Sequence, residues 1–266
     1  MKRKGPAVLI IPRMKLSKKK HIPIFYIQGT GYCWLDREWY PHQIIDLVSQ
    51  LAFHWRLNGT VRAFHKLYYK SVTRTWGNTF WFGMPLLKCP LDLWIYQEII
   101  FQLKPDLIIE TGTSDGGSAL FMANICDLLD RGQIITIDIA PVPEDTKPKN
   151  RRITYLVGSS TSPEILKQVQ EKGKGASKCL VILDSDHSKL HVLNELRLYS
   201  QLVTKGSYLI VEDTNLNGHP VAKNFGAGPW EAVEEFLAEN MDFQPDESRE
   251  KFFMTQNPKG FLRKIR

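Results

Sequence analysis

Five short apolar runs alternate with helical stretches from residue 106 onward, and this alternation constrains the fold more than any other feature of the sequence. Between the first two runs, Ala119, Met122 and Cys126 recur with helical spacing. Almost continuously apolar strands are typical of a parallel sheet that helices cover on both faces, so we predict an α/β fold. The predicted strands are Leu107–Glu110, Gln133–Asp138, Ile153–Val157, Cys179–Leu183 and Ser207–Val211.

Helices are predicted before, between and after these strands, and a turn sequence follows them. The turn is Asn257-Pro-Lys-Gly260, which the segments 251–255 and 261–265 flank. The predicted helices are residues 91–103, 116–130, 162–172, 188–204 and 229–240.

Residues 21–104 have a different composition. Five of the seven tryptophans lie there, and one helix is predicted from Pro41 to Trp55. The segment Trp76–Gly83 is too rich in glycine and aromatic residues for a regular element, so we interpret it as a folded loop. We therefore predict a basic tail at 1–20, an N-terminal helical and aromatic cap at 21–104, and a main domain at 105–266.

The net charge of +7 comes from the first 20 residues, which hold eight lysines and arginines and no acid. Residues 21–266 therefore sum to −1, and this neutral body argues against a nucleic-acid partner. The longest apolar run, 7–11, is far shorter than the roughly 20 residues that cross a bilayer, so no membrane span is predicted. Four widely spaced cysteines predict reduced thiols and a cytoplasmic location.

A glycine-containing loop follows the first predicted strand, at Glu110-Thr-Gly-Thr-Ser-Asp-Gly-Gly-Ser118. Ligands of open α/β sheets bind at the carboxyl ends of the strands, where glycine lets a ligand approach the backbone. The loop lacks both the Gly-Lys-Ser/Thr of a P-loop and the spacing of a dinucleotide loop. It predicts a ligand-binding loop of another kind.

Polar residues also close the second and third predicted strands. Asp138 ends the second, where a carboxylate can accept two hydrogen bonds from a ribose diol or cap a helix. Ser159 and Ser160 follow the third, where their hydroxyls either border an adenine or cap the next helix.

Four carboxylates follow the fourth and fifth predicted strands, at Asp184, Asp186, Glu212 and Asp213. Unpaired carboxylates at one sheet edge would raise each other's pKa, and a hard divalent cation such as Mg²⁺ or Mn²⁺ would relieve the repulsion. Three candidate general bases lie in the same segment, and they are His187, Lys189 and His191.

Taken together, these motifs resemble the cephalosporin hydroxylase family, over roughly residues 76–266. The resemblance implies a Rossmann-like class I methyltransferase fold, with a mostly parallel seven-stranded sheet, helices on both faces and an aromatic-rich N-terminal extension. The motifs are Phe-Gly-x-Pro at 82–85, Asp-Leu-Trp-x-Tyr-Gln at 92–97, Ile-Glu-Thr-Gly-Thr-Ser at 109–114, Asp-Ser-Asp-His-Ser at 184–188, Val-Glu-Asp-Thr-Asn at 211–215 and Asn-Gly-His-Pro at 217–220.

The resemblance also implies roles for individual residues. Lys189 is the implied general base, with His187 the other candidate, and Asp184 would orient the sulfonium end of S-adenosylmethionine. The implied Mg²⁺ (or Mn²⁺) ligands are Asp186, Glu212 and Asp213. The implied cofactor-binding residues are Glu110, Thr111, Gly112, Ser114, Gly116, Ser118, Asp138, Ile139, Ser159, Ser160 and Asp184.

The predicted function is that of a metal-dependent S-adenosylmethionine O-methyltransferase acting on a hydroxyl of a small molecule, such as a sugar, an antibiotic or another natural product. Two alternatives stay open at this point. One is a cofactor-binding partner subunit of an oxygenase without methyl transfer of its own, and the other is a nucleic-acid methyltransferase, which the neutral body disfavours. The predicted partner is a small hydroxylated acceptor, and the sequence leaves a homo-oligomer open.

Overall fold

A computed structural model of the chain describes residues 57–266 and, before them, only the strands β1 (Ile22–Ile27) and β2 (Gly31–Leu35). These two strands pair antiparallel. The chain divides into two compact units, Met1–Asn58 and Gly59–Arg266. The predicted basic tail and the predicted helix near Pro41 lie outside the described residues.

A seven-stranded sheet forms the centre of the second unit, in the order β10-β11-β9-β8-β5-β6-β7. The five strands from β9 to β7 pair parallel, and β11 pairs antiparallel with both β9 and β10. This confirms the predicted sheet. Its strands are β5 (Leu107–Thr111), β6 (Gln133–Asp138), β7 (Ile153–Val157), β8 (Cys179–Leu183), β9 (Tyr208–Val211), β10 (Phe243–Pro245) and β11 (Phe261–Lys264).

Helices cover both faces of this sheet, and within the described residues none is long and apolar enough to cross a membrane. Residues 57–70 are helical and form α1. The other helices are α2 (Pro90–Leu103), α3 (Gly117–Leu128), α4 (Pro163–Lys172), α5 (Lys189–Tyr199) and α6 (Pro229–Glu239).

Neighbouring residues of each central strand point into different cores. Ile109 packs with residues of α4, α5 and α6, whereas Ile108 packs with residues of α2 and α3. Because successive side chains of a strand face opposite sides, a strand buried on both faces is apolar at most of its positions. This explains the continuous apolar runs of the sequence.

The segments that flank the parallel strands differ from their predictions. Residues 76–83, expected as an irregular loop, hold a 3-10 turn at Trp76–Asn78 and the first strand of a short hairpin, β3 (Phe80–Trp81) with β4 (Met84–Pro85). The predicted turn at 257–260 lies between an irregular segment at 251–255 and β11, which pairs with β9 and β10. Helix α2 packs into the core beside α3, although the sequence assigned it to the cap. The boundary at 104/105 stays a prediction.

Candidate active site

A cavity of about 630 Å³ opens at the carboxyl ends of the parallel strands, where β5 lies between β6 and β8 and the strand order reverses. This is the position at which open α/β sheets bind ligands. Seven of the predicted cofactor-binding residues line it, and they are Gly112, Ser114, Ser118, Asp138, Ile139, Ser160 and Asp184. Four others do not line it, and they are Glu110, Thr111, Gly116 and Ser159.

The loop after β5 lies so close to its neighbours that two of its positions accept only glycine. A Cβ atom on Gly112 would lie 1.8 Å from the carbonyl oxygen of Asp184, and the residue has a φ of +89°. A Cβ atom on Gly117 would lie 2.0 Å from the carbonyl oxygen of Pro85. The glycines therefore bring this loop against the ends of β8 and β4, which form the walls of the cavity.

Asp138 holds the same loop from the end of β6. Its Oδ2 atom accepts hydrogen bonds from the backbone N–H groups of Thr113 (3.0 Å) and Ser114 (2.9 Å), and its Oδ1 atom accepts one from Ala140 (3.1 Å). A carboxylate has about four acceptor sites, so Asp138 retains capacity for a ligand hydroxyl.

Glu110 supports the loop from inside the protein. It is fully buried, and its Oε2 atom accepts a hydrogen bond from the Thr136 hydroxyl at 2.7 Å. Burial raises the pKa of Glu110 to about 7, although the charge of Lys88 opposes the shift. The Thr136 hydroxyl also bonds that of Thr113 at 2.8 Å, so this network links β5, β6 and the loop.

Two carboxylates and an imidazole meet at the edge of the cavity. The ligand atoms of Asp184, His187 and Asp213 all lie within 4.8 Å of one another. The Nε2 atom of His187 is 3.2 Å from Asp213 Oδ2 and 4.0 Å from Asp184 Oδ1. Burial raises the pKa of Asp213 to about 6 despite the opposing charge of His187, and Asp184 acts in the same direction as burial. The carboxylate oxygens of Asp184 and Asp213 are hard donors that suit a divalent cation.

Lys88 contacts the acidic edge of the cavity, and the sequence analysis did not identify it. Its side chain is 5% exposed, and its Nζ atom lies 2.5 Å from both Asp184 Oδ2 and Glu212 Oε1. Burial disfavours the charged ammonium, but the two carboxylates outweigh burial and raise the pKa of Lys88. The available signal was a single lysine inside the apolar run Pro85–Pro90, because a buried lysine needs an acidic partner.

Three predicted residues have other partners. Asp186 lines the cavity, but its Oδ1 atom accepts from the backbone N–H of Ser188 at 2.7 Å, just before α5. Glu212 is buried against Lys88. Lys189 lies 2.7 Å from Glu235 of α6 and does not line the cavity. The set that the structure brings together therefore differs from the predicted one: it includes Asp184 and His187 in place of Asp186 and Glu212.

A buried glutamate holds a second polar group at the cavity wall. Glu195 of α5 is fully buried, and its Oε1 atom accepts hydrogen bonds from the hydroxyls of Ser160 (2.5 Å) and Ser185 (2.7 Å). His191 Nε2 lies 3.4 Å from the same oxygen, and this contact is the main cause that raises the pKa of His191. The two serines and His191 all line the cavity, so Glu195 fixes the direction of its polar wall.

Comparisons with known proteins show the family to which the chain belongs. The family model described as Rhamnosyl O-methyltransferase/CmcI matches residues 73–265. Among similar proteins, the rhamnosyl O-methyltransferase of Mycobacterium leprae (strain TN) is 43% identical over 226 residues, which cover 83% of this chain and 96% of the relative. The protein of the same name from Mycobacterium tuberculosis (strain ATCC 25618 / H37Rv) is 39% identical over 245 residues, covering 87% and 98%.

Solved structures show the same fold. A CmcI structure described with Mg and SAM superposes with a TM-score of 0.55 at 20% identity, covering 71% of this chain and 77% of that one. A CmcI apo structure gives a TM-score of 0.54 at 22% identity, covering 71% and 76%. These matches confirm the predicted class I methyltransferase fold, and the family match confirms the resemblance found in the sequence motifs.

Proposed function

The chain belongs to the Rhamnosyl O-methyltransferase/CmcI family and is an S-adenosylmethionine-dependent O-methyltransferase, and we propose that it methylates a sugar hydroxyl in a reaction that depends on Mg²⁺. The observation that carries the proposal is the meeting of Asp184, His187 and Asp213 at the edge of the cavity. The names of the relatives support a rhamnosyl-type acceptor.

The cavity residues would hold the cofactor as follows. The loop after β5 and Asp138 would bind the ribose, because the Asp138 carboxylate keeps acceptor sites beyond those that the loop uses. The serine hydroxyls fixed by Glu195 would border the adenine. Glu110, Thr111, Gly116 and Ser159 would act from outside the cavity, by supporting its walls.

Asp184 and Asp213 are the residues that would hold the metal ion. The Oδ2 atom of Asp184 accepts a hydrogen bond from Lys88, so the Oδ1 atom, which lies 4.0 Å from His187 Nε2, is the one that would bind the metal ion. Mg²⁺ prefers carboxylate oxygens and usually keeps several waters, so two carboxylates at this edge fit it. When bound, such an ion would lower the pKa of an acceptor hydroxyl.

His187 would be the general base. Its imidazole lies at the metal-binding edge and is held by Asp213, whereas Lys189 is paired with Glu235 and faces away. Bound S-adenosylmethionine would supply the methyl group to the acceptor oxygen and would be released as S-adenosylhomocysteine, whose sulfur keeps the electron pair of the broken bond, while His187 would take the proton of the acceptor hydroxyl.

The test is methyl transfer from S-adenosylmethionine to a panel of rhamnosides and other glycosides. We expect transfer to rhamnosides, loss of turnover with EDTA, and recovery with Mg²⁺ or Mn²⁺. Full turnover by metal-free protein would contradict the metal dependence. No transfer to any glycoside would contradict the acceptor class while leaving the cofactor assignment to be judged by S-adenosylhomocysteine binding.

A further inference from the structure

A second cavity, of about 570 Å³, adjoins the first one. Helix α1 contributes Lys66, Tyr69 and Lys70 to its wall, and the loop 217–223 contributes the opposite side, including Lys223. Tyr69 lines both cavities. We call this second space the lysine cavity.

The lysine cavity is the electrostatic opposite of its neighbour. Three lysines and no acid line it, whereas Asp184, Asp186 and Asp213 line the first cavity. Within residues 57–266, none of the three ammonium groups has an ion-pair partner, although Lys88, Lys189 and other lysines do. The three positive charges are therefore available to a ligand.

The two cavities meet near the reacting groups. Tyr69 and Asp213 both line the first cavity, and Tyr69 also lines the lysine cavity. The chain itself connects the sites, because the loop that begins at Asp213 continues to Lys223. Hydrogen bonds fix this loop: Val221 N donates to Asn215 O (3.1 Å), and Asn217 Nδ2 donates to Glu231 of α6 (2.8 Å).

We propose that the lysine cavity binds a phosphate ester or pyrophosphate carried by the acceptor, while the acceptor hydroxyl lies at Asp184, His187 and Asp213. The inference rests on the proposed function and names the class of its substrate: a sugar that bears an anionic phosphate group. Lysine binds phosphate as a point charge, and three lysines around one cavity match a ligand of charge −2 better than a neutral glycoside. A space of this volume is within the range of small-molecule sites.

Two sources can supply this chemistry: a soluble nucleoside diphosphate sugar and a phosphate in a lipid headgroup. The probes are uridine diphosphate and inorganic pyrophosphate, measured by calorimetry in the presence of S-adenosylhomocysteine, and vesicles of phosphatidylglycerol against phosphatidylcholine, measured by co-sedimentation. The variant is the triple substitution Lys66→Ala, Lys70→Ala and Lys223→Ala. The matched control removes three lysines that line neither cavity, by Lys167→Ala, Lys172→Ala and Lys205→Ala.

We expect uridine diphosphate or pyrophosphate to bind the natural chain, and the triple variant to bind it at least tenfold more weakly while the control binds it normally. S-adenosylhomocysteine should bind all three proteins equally, so this readout separates failure of the inference from failure of the proposed function. Binding to anionic vesicles alone, lost in the triple variant and kept in the control, supports the same phosphate chemistry with a lipid source. Equal binding of every probe by the variant and the control, or no binding of any probe by the natural chain, overturns the inference.

Discussion

The buried ammonium of Lys88 joins two strand ends that would otherwise repel each other. Asp184 follows β8 and Glu212 follows β9, and Lys88 reaches both from the segment after β4. Removing an ammonium from water is costly, and here the cost is offset by two carboxylates at hydrogen-bond distance. Lys88 therefore keeps the acidic edge assembled in the absence of any other cation.

Replacing Lys88 by methionine should destabilise the protein strongly. Lys88→Met keeps most of the side-chain volume but leaves the buried Glu212 and the partly buried Asp184 without their ammonium partner, and breaking a buried ion pair typically costs about 3–5 kcal/mol in the free energy of unfolding. Urea unfolding checks the value, with Lys205→Met at an exposed site as the control. A loss below about 1 kcal/mol would show that the acidic edge does not need this ammonium.

His187 and Lys189 are the two candidate bases, and the structure separates them. His187→Gln removes the base beside Asp213, so turnover should fall by about 10²–10⁴-fold. Lys189→Met removes only a partly exposed ion pair with Glu235, so turnover should change less than about threefold. Methyl transfer measures both, and S-adenosylhomocysteine affinity should stay unchanged in each variant. The reverse ranking would assign the base to Lys189.

At the scale of elements, the sequence predicted the parallel strands well for a physical reason. The bounds of β6, β7 and β8 agree with the predicted ones. Strand β8 lies inside the sheet and is buried at every position, so its whole sequence is apolar, whereas β7 is an edge strand and is only partly buried. The hairpin β3–β4 was not predicted, since distant contacts hold it. The rings of Trp81 and Phe121 of α3 pack with their centroids 4.9 Å apart, and Trp81 Nε1 donates a hydrogen bond to Asn124 Oδ1 at 2.9 Å.

The same reasoning explains what was predicted of the site. Carboxylates that end adjacent parallel strands must lie at one edge, so the meeting of Asp184 and Asp213 follows from the strand pattern. The direction of each side chain depends on its local partners, and the sequence does not reveal those. Asp186 accepts a hydrogen bond from the backbone N–H of Ser188, and Lys88 contacts Asp184 from a segment outside the sheet.

Asp106 connects the segments that precede β5, β6 and β8, at the end of the sheet opposite the cavity. It lies between α2 and β5 and accepts hydrogen bonds from Ser177 Oγ (2.6 Å), from the backbone N–H groups of Ser177 and Lys178 (3.0 Å each), and from Arg131. The hydrogen bond from the Ser177 hydroxyl lowers the pKa of Asp106 to about 2, and the hydrogen bond from Arg131 adds to this effect. The carboxylate therefore stabilises the fold only while it is ionised.

Asp106→Asn should remove this contribution in a pH-dependent way. Because the folded pKa is below the ordinary value of 3.8, the stabilisation is fully present above about pH 4 and is lost as the pH falls towards 2. At pH 7 we expect a loss of about 1 kcal/mol, a value discounted for the partial exposure of the site. Urea unfolding at pH 7, 4 and 3 measures the trend, with exposed Asp145→Asn as the control. A difference that is independent of pH would contradict the charge as its cause.

At the scale of the whole molecule, charge is distributed in blocks. Residues 1–20 carry +8, the remaining residues sum to −1, and within the described part an acidic cavity adjoins a basic one. The predicted absence of a nucleic-acid partner rests on the neutral body, and the proposed phosphate site occupies only one small part of it. An acidic cavity beside a basic one can therefore orient a small acceptor, although the surface as a whole is not basic.

S-adenosylhomocysteine should stabilise the whole domain by binding the folded chain selectively. At a ligand concentration of 100 times Kd the stabilisation is about 2.7 kcal/mol, which for a chain of this size corresponds to a rise of roughly 5–10 °C in Tm.

Asp138→Asn should reduce the rise, because a carboxylate that accepts from ribose hydroxyls contributes about 1.5–3 kcal/mol for each such bond. Each shift is measured against the same protein without ligand by scanning calorimetry, so the loop hydrogen bonds of Asp138 to Thr113 and Ser114 do not enter the comparison directly. Asp145→Asn, at an exposed position that does not line the cavity, is the control. An equal rise in all three proteins would remove Asp138 from the cofactor site, and no rise in the natural chain would contradict the placement of the cofactor in the 630 Å³ cavity.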